Sequence, residues 1–149
     1  MNTNRITNEQ IETLKSNEVF VFGSNVQGEH VGGAAKFALD NFGAIMGQGE
    51  GMQGSSYAIP SCVRIEVPFG NKIIKQTKPF DSAAEMKSYI ERFIEFAKCH
   101  KELHFYVTKI GCGIAGMCIS DVAKLFKGCV PLENVALPIE FWHEYGVND

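Results

Sequence analysis

Apolar residues along the chain fall into short continuous runs and longer stretches with a three-and-four spacing, the signatures of buried strands and amphipathic helices. Thr7, with Gln10 three residues on, predicts a capped first helix whose inner face carries Ile11 and Leu14, ending near Ser16. Val19-Phe20-Val21-Phe22, closed by Gly23, predicts a central strand buried on both faces. Ala35, Ala38, Leu39 and Phe42 keep helical spacing before Gly43, a natural C-terminal cap. Residues 43–54 hold five glycines in 12 positions, too many for regular structure, and read as a mobile rim leading into a strand at Tyr57-Ala58-Ile59-Pro60. Val63 to Val67 and Lys72 to Lys75 predict a hairpin or lid around Phe69-Gly70-Asn71.

A helix capped by Ser82 carries Met86, Tyr89, Ile90, Phe93, Phe96 and Ala97 on one stripe, running to about Cys99. Then come a strand at His104 to Thr108, a glycine loop from Gly111 to Gly116, and a helix capped by Ser120 and ending at Phe126. A last strand is expected over Val135 to Ile139, at an edge or bulge because Pro138 lacks a ladder donor. Strands alternating with helices imply an α/β fold of three layers, α/β/α, around a mostly parallel or mixed sheet. With 149 residues, 45% of them hydrophobic, one domain spanning 1–149 is expected.

Charge and cysteine content narrow the class. The net charge is -3 and no basic stripe interleaves with aromatics, so no nucleic-acid groove and no anionic membrane partner is expected. No apolar run approaches the roughly 20 residues of a membrane span. The five cysteines lack a Cys-x-x-Cys pair and the chain starts without an apolar signal-like segment, which points to a reduced, cytoplasmic setting. The histidines lack ligand spacing with any cysteine or carboxylate, so neither a metal nor another cofactor is expected.

Two glycine loops, near Gly32 and near Gly113, each follow a strand and enter a helix. In an open parallel sheet such loops lie at the carboxyl ends of the strands, where ligands bind. A helix start offers free N–H groups, and glycine lets backbone approach a phosphate with no Cβ between them. Gly111 to Gly116 also matches the dinucleotide pattern G-x-G-x-x-G, with Glu140 available for a ribose, so an NAD(P)-binding Rossmann-like protein is one alternative. A non-catalytic protein-interaction module, with no concave pocket between Asn25 and Gly116, is another.

The two loops resemble those of the macrodomain family of ADP-ribose binders. Val19 to Asn25 is similar to its strand ending in asparagine, Val31-Gly32-Gly33-Ala34-Ala35 to its loop entering a helix, and Gly113-Ile114-Ala115-Gly116 to the loop that wraps the diphosphate. The resemblance implies that ADP-ribose, or an ADP-ribosylated substrate, is the partner. It places Gly23, Ser24 and Asn25 beside the distal ribose, and Gly32, Gly33 and Ala34 on the diphosphate side. Gly111, Cys112, Gly113, Ile114, Ala115 and Gly116 fall to the phosphates. Ala115 stands where the family commonly has an aromatic, and Phe141 or Trp142 is expected to supply a stacking face instead. Asn25 is the candidate catalytic residue for ADP-ribosyl hydrolysis or ADP-ribose phosphate processing. Among the other candidates for chemistry near the loops, Glu29, His30, Glu50, Lys109 and Cys112, the first three read as solvated polar positions and Cys112 as a small loop residue that would become a nucleophile only as a thiolate.

Overall fold

The computed structural model describes residues 2–113 and 115–147. They form a mixed α/β fold with a six-stranded sheet and four α-helices among the described residues. In chain order the elements are β1 (Glu18–Asn25), α1 (Gly33–Asn41), β2 (Gly51–Gln53), β3 (Ser56–Phe69), β4 (Lys72–Pro79), α2 (Lys87–Cys99), β5 (His104–Val107), α3 (Ile119–Leu125), β6 (Val135–Ala136) and α4 (Ile139–Glu144). The sheet runs β2-β3-β1-β5-β6, with β4 paired to the outer part of β3. β1 is parallel to β3 and β5, and β5 to β6, whereas β2 and β4 are antiparallel to β3.

Alternation along β1 divides the core. Val19 and Val21 join a cluster with side chains from α2, α3 and α4, while Phe20 and Phe22 join another built on Ala35, Ala38 and Phe42. The stripe on α2 acts as its spacing predicts: Ile90, Phe93 and Ala97 are fully buried. The Phe93 ring lies 5.1 Å from Tyr57 and 5.4 Å from Phe105, both on the sheet.

Four local expectations change. Residues 7–16 form no helix. Ile6 bridges Leu137 and the Thr7 amide donates to the Leu137 carbonyl at 2.9 Å, so pairing with the sheet replaces the helix start, and the buried Thr7 hydroxyl caps nothing. Ile11 and Leu14 still pack on the α1 cluster. The strand at Tyr57 does not stop at Pro60 but continues through Phe69, because the register against β1 steps from Ser24–Pro60 to Asn25–Cys62 and so absorbs the missing proline donor. The last strand is cut to Val135–Ala136, and Pro138 becomes the N-cap of α4. Finally, the cap of α3 is Cys118, with Ser120 already inside the helix.

The glycine-rich segment before β2 is packed against β1, not free at the rim. A Cβ on Gly49 would lie 2.2 Å from the Val26 carbonyl oxygen, and the buried Ser24 hydroxyl donates to the Gly49 carbonyl. His30, expected to be solvated, is fully buried, with Nε2 at 3.1 Å from both the Gln48 carbonyl and Gln53 Oε1. Gln53 Oε1 already accepts the Ile45 amide at 2.7 Å, so His30 must be the donor through Nε2.

Candidate functional site

Parallel pairing brings the carboxyl ends of β1, β3 and β5 to one edge of the sheet, and a cleft of about 450 Å³ opens there. Its floor is Gly23, Ser24 and Asn25 at the end of β1. One wall is Gly32, Gly33, Ala34 and Ala35 at the start of α1, another is Thr108 to Gly111 with Gly113 and Ala115 after β5, and the third is Ser61, Cys62, Arg64 and Thr77 from β3 and β4. Both glycine loops therefore line one concavity.

Gly32 is the N-cap of α1 and offers no side-chain cap, so the first-turn amides have no acceptor from a capping side chain. Gly33 has φ of 56°, a conformation that favours glycine. Gly32 differs: its φ of -160° suits any residue, and a Cβ built on it meets no atom within 4 Å. Gly113 is equally open. At these two positions no neighbouring atom blocks a side chain, and what the missing Cβ provides is exposed backbone facing the cleft.

Asn25 lines the cleft but its carboxamide is engaged. Nδ2 donates to the Glu29 carbonyl and Oδ1 accepts the Glu29 amide, each at 2.8 Å, closing the loop after β1. Such a side chain positions the loop. The Glu29 carboxylate is held by Lys75 at 2.8 Å and lies 3.4 Å from Arg64 Nε, and Lys75 in particular keeps its pKa below the usual carboxylate range. Glu29 is thus part of an ion-pair network reaching from the β1 loop to the β3–β4 hairpin.

On the opposite side Lys109 pairs with Glu140 at 2.7 Å, which raises the lysine pKa and lowers that of the glutamate. Glu140 is thereby committed to a cation. Cys112 is half-buried and its thiol is pushed up to about 11 by desolvation, so it stays protonated at neutral pH. Cys62 lines the cleft, and burial raises its pKa as well. Neither cysteine is poised as a thiolate nucleophile.

Of the loop residues expected around the phosphates, Gly111, Gly113 and Ala115 line the cleft, whereas Cys112 and Gly116 do not, the Gly116 amide donating to the Gly113 carbonyl at 2.9 Å. Ile114 falls outside the described residues. Trp142 is 2% exposed in the core and its indole N–H donates to the Arg5 carbonyl at 2.7 Å, and Phe141 is fully buried. Neither ring reaches the cleft, because Pro138 starts a helix that turns both inward. Glu50 is away from the cleft, in a two-pronged pair with Arg92 at 2.7 and 3.2 Å. Sequence reasoning missed Arg64 and Thr77; the sole local signal was an arginine alternating with Cys62 and Glu66 on one face of a strand.

A second chamber of about 580 Å³ shares Gly33, Ala34, Thr108 and Lys109 with the cleft and continues over Phe20, Phe37 and Ile11 toward Asn8 to Glu12. Its apolar floor includes Phe37, 37% exposed on α1. The site is consequently elongated, with the α1 start at its middle. No group of three or more His, Cys, Asp or Glu side chains among the described residues is placed to hold a metal, and no helix of the described chain is long and apolar enough to cross a membrane. No protein-family model, curated protein or solved structure matches this chain.

Proposed function

We propose that this protein binds ADP-ribose or a closely related nucleotide diphosphate across the α1 start. The observation that carries the reading is the pair of open glycines, Gly32 and Gly113, both lining one cleft, where neither packing nor backbone conformation calls for glycine. Backbone amides on two sides suit a diphosphate, whose charge is favoured at a helix N-terminus. The second chamber, apolar below and rimmed by the side chains of Asn8, Glu9, Gln10 and Glu12, suits a nucleobase, with Phe37 in the stacking role expected of Phe141 or Trp142. The sugar beyond the diphosphate then lies toward Asn25 and β3.

Core clusters on the two faces of the sheet support the three-layer, macrodomain-like architecture that the loops resemble. Binding is the primary activity in this reading. The thiols near the cleft are held protonated and Asn25 is bound to its own loop, so hydrolysis would depend on a water placed by the phosphate loops. Isothermal titration with ADP-ribose is the test. Saturable heat at micromolar to millimolar ligand is expected, and none from folded protein at millimolar ligand refutes the proposal.

A further inference from the structure

Beyond Cys62, which pairs with Asn25 at the end of β1, β3 has only β4 as a strand partner among the described residues, and the two continue as a two-stranded arm about 23 Å long. Val63–Lys78, Ile65–Gln76, Val67–Ile74 and Phe69–Lys72 are the facing pairs on one side of the arm; Arg64–Thr77, Glu66–Lys75 and Pro68–Ile73 are those on the other. Arg64 and Thr77 turn to the cleft, whereas Val63 and Lys78 border a separate hollow beside α2. Val63, Ile65, Val67, Phe69 and Ile74 thus form one apolar stripe on the side away from the cleft. Its alternation is that of a strand with one covered face. Yet none of the five belongs to either core cluster of the described residues, and Phe69 is 69% exposed. A two-stranded ribbon with its apolar side in water is marginally stable at best, so the stripe calls for a cover from outside the chain.

The two ends of the stripe complement each other. At its base the hollow, of about 340 Å³, is lined by the stacked rings of Phe80 and Tyr89, 6.3 Å apart, and by Asp81 and Glu85. At its tip stand an exposed ring, Phe69, and a cation, Lys72. Lys72 and Asp81 are exposed, and neither forms an ion pair among the described residues. We infer that the stripe is covered by the same stripe of a second copy of this chain, the two arms stacked antiparallel about a two-fold axis near Ile65 and Val67. Tip then meets base twice: Phe69 of each copy enters the Phe80–Tyr89 hollow of the other, and Lys72 approaches the other copy's Asp81 and Glu85. Such reciprocity is what a two-fold contact requires. Along the arm Arg64, Lys72, Lys75 and Lys78 outnumber Glu66, in a chain whose net charge is -3, so the arm is also drawn to the acidic body of another copy. Pairing of the two β4 edges about Lys75 would instead set Lys72 against Lys78, and like charges directly opposite are destabilising. The stacking leaves Arg64 and Thr77 facing the cleft, and does not depend on what the cleft binds.

Sedimentation equilibrium of the full chain tests this. Between about 5 and 500 μM, the range suited to a small interface, the mass should rise from that of one chain, 16.4 kDa, toward twice that value. Phe69→Ser should weaken association by about 100-fold or more, because each dimer loses two buried rings worth about tenfold or more apiece. Ile73→Ser removes an equally exposed apolar side chain from the opposite face and should change it by less than about twofold. Glu85 already accepts the Asp81 amide at 2.9 Å, so Asp81 is the acid to reverse. Lys72→Glu and Asp81→Lys should each weaken association by about fivefold or more, and the double variant should recover most of that loss. Circular dichroism at the lowest concentration establishes that each variant is folded. A wild type that stays monomeric throughout the range overturns the inference. Retention of that monomer, but not of Phe69→Ser, on phosphatidylcholine–phosphatidylserine vesicles would then give the stripe to a lipid surface. A dimer weakened as much by Ile73→Ser as by Phe69→Ser, or a double variant that associates no better than the singles, overturns it equally.

Discussion

Adding a single methyl group at Gly32 or Gly113 separates a ligand role for the glycine loops from a folding role. At Gly32 a Cβ meets nothing within 4 Å and φ is -160°, so Gly32→Ala introduces no clash and no strain. Alanine is a poorer N-cap than glycine, at a cost of up to about 1 kcal/mol. The more restricted unfolded chain offsets that by about 0.4–1 kcal/mol, leaving a net change within about 0.5 kcal/mol. Gly113→Ala, in an equally open position, should be neutral or stabilising, with Tm raised by at most about 4 °C. Ligand affinity should behave oppositely. If the methyl keeps a phosphate oxygen from one backbone amide, about 1.5–3 kcal/mol of charge-assisted hydrogen bonding is lost, or about 10- to 150-fold in Kd for ADP-ribose. Gly49→Ala is the control. Its Cβ would sit 2.2 Å from the Val26 carbonyl and 2.7 Å from that of Asn25, so the backbone must shift, and stability should fall by about 1–3 kcal/mol. Calorimetric titration and thermal melts on the three variants decide the matter. Unchanged affinity in both Gly32→Ala and Gly113→Ala would refute the reasoning.

Phe93→Ala removes a fully buried ring from between Tyr57, Phe105 and Phe126 and should cost about 3–5 kcal/mol, read as a lower urea midpoint. Asn25→Ala deletes both 2.8 Å bonds to Glu29 and should speed amide hydrogen exchange in the segment after β1 while leaving β5 protected; equal exchange in both would count against a positioning role. His104 is half-buried with its pKa lowered from 6.5 by desolvation, so the unfolded chain binds the proton more readily. Its contribution to stability is therefore present above about pH 6.5 and lost as pH falls toward the lower folded pKa, and the stability difference between wild type and His104→Gln should shrink or invert over that range. Among the thiols, Cys118 is exposed with its pKa lowered chiefly by the Ser120 hydroxyl, whereas Cys112 is pushed up to about 11 and Cys129 to about 12 by burial. Iodoacetamide at pH 8 should label Cys118 well ahead of both, as mass spectrometry of the digested protein would show.

The local patterns in the chain carry information of short range, and there they served well. Four hydrophobic residues in a row specify β1 because a strand covered on both faces needs no polar side, and the α2 stripe specifies a helix because its period matches one face. The placement of glycines after strands and before helices was also sufficient to foresee that the segments at Gly32 and Gly113 would share an edge of the sheet. Thr7 and Trp142 show where this range ends. A capping box at Thr7 competes with pairing of Ile6 and Thr7 to Leu137, a partner some 130 residues away, and the tertiary contact wins because local helix signals are each worth about 1 kcal/mol.

Three features of the site were settled only by the tertiary structure. The parallel register of β3 on β1 delivers Arg64 and Thr77 to the cleft, and strand register depends on long-range pairing. The carboxamide of Asn25, from sequence a free polar group at a strand end, is taken up by Glu29 because the loop folds back on it. Proline at 138 turns an apparent strand into α4, and so carries Trp142 into the core and leaves Phe37 as the aromatic beside the glycines. The sequence by itself determined β1, α1, α2 and β5 and where backbone is left bare, since these follow from periodicity and from the absence of a Cβ. Which side chains meet at that bare backbone was decided by packing between segments far apart in the chain, because only the assembled sheet brings them within a few ångströms.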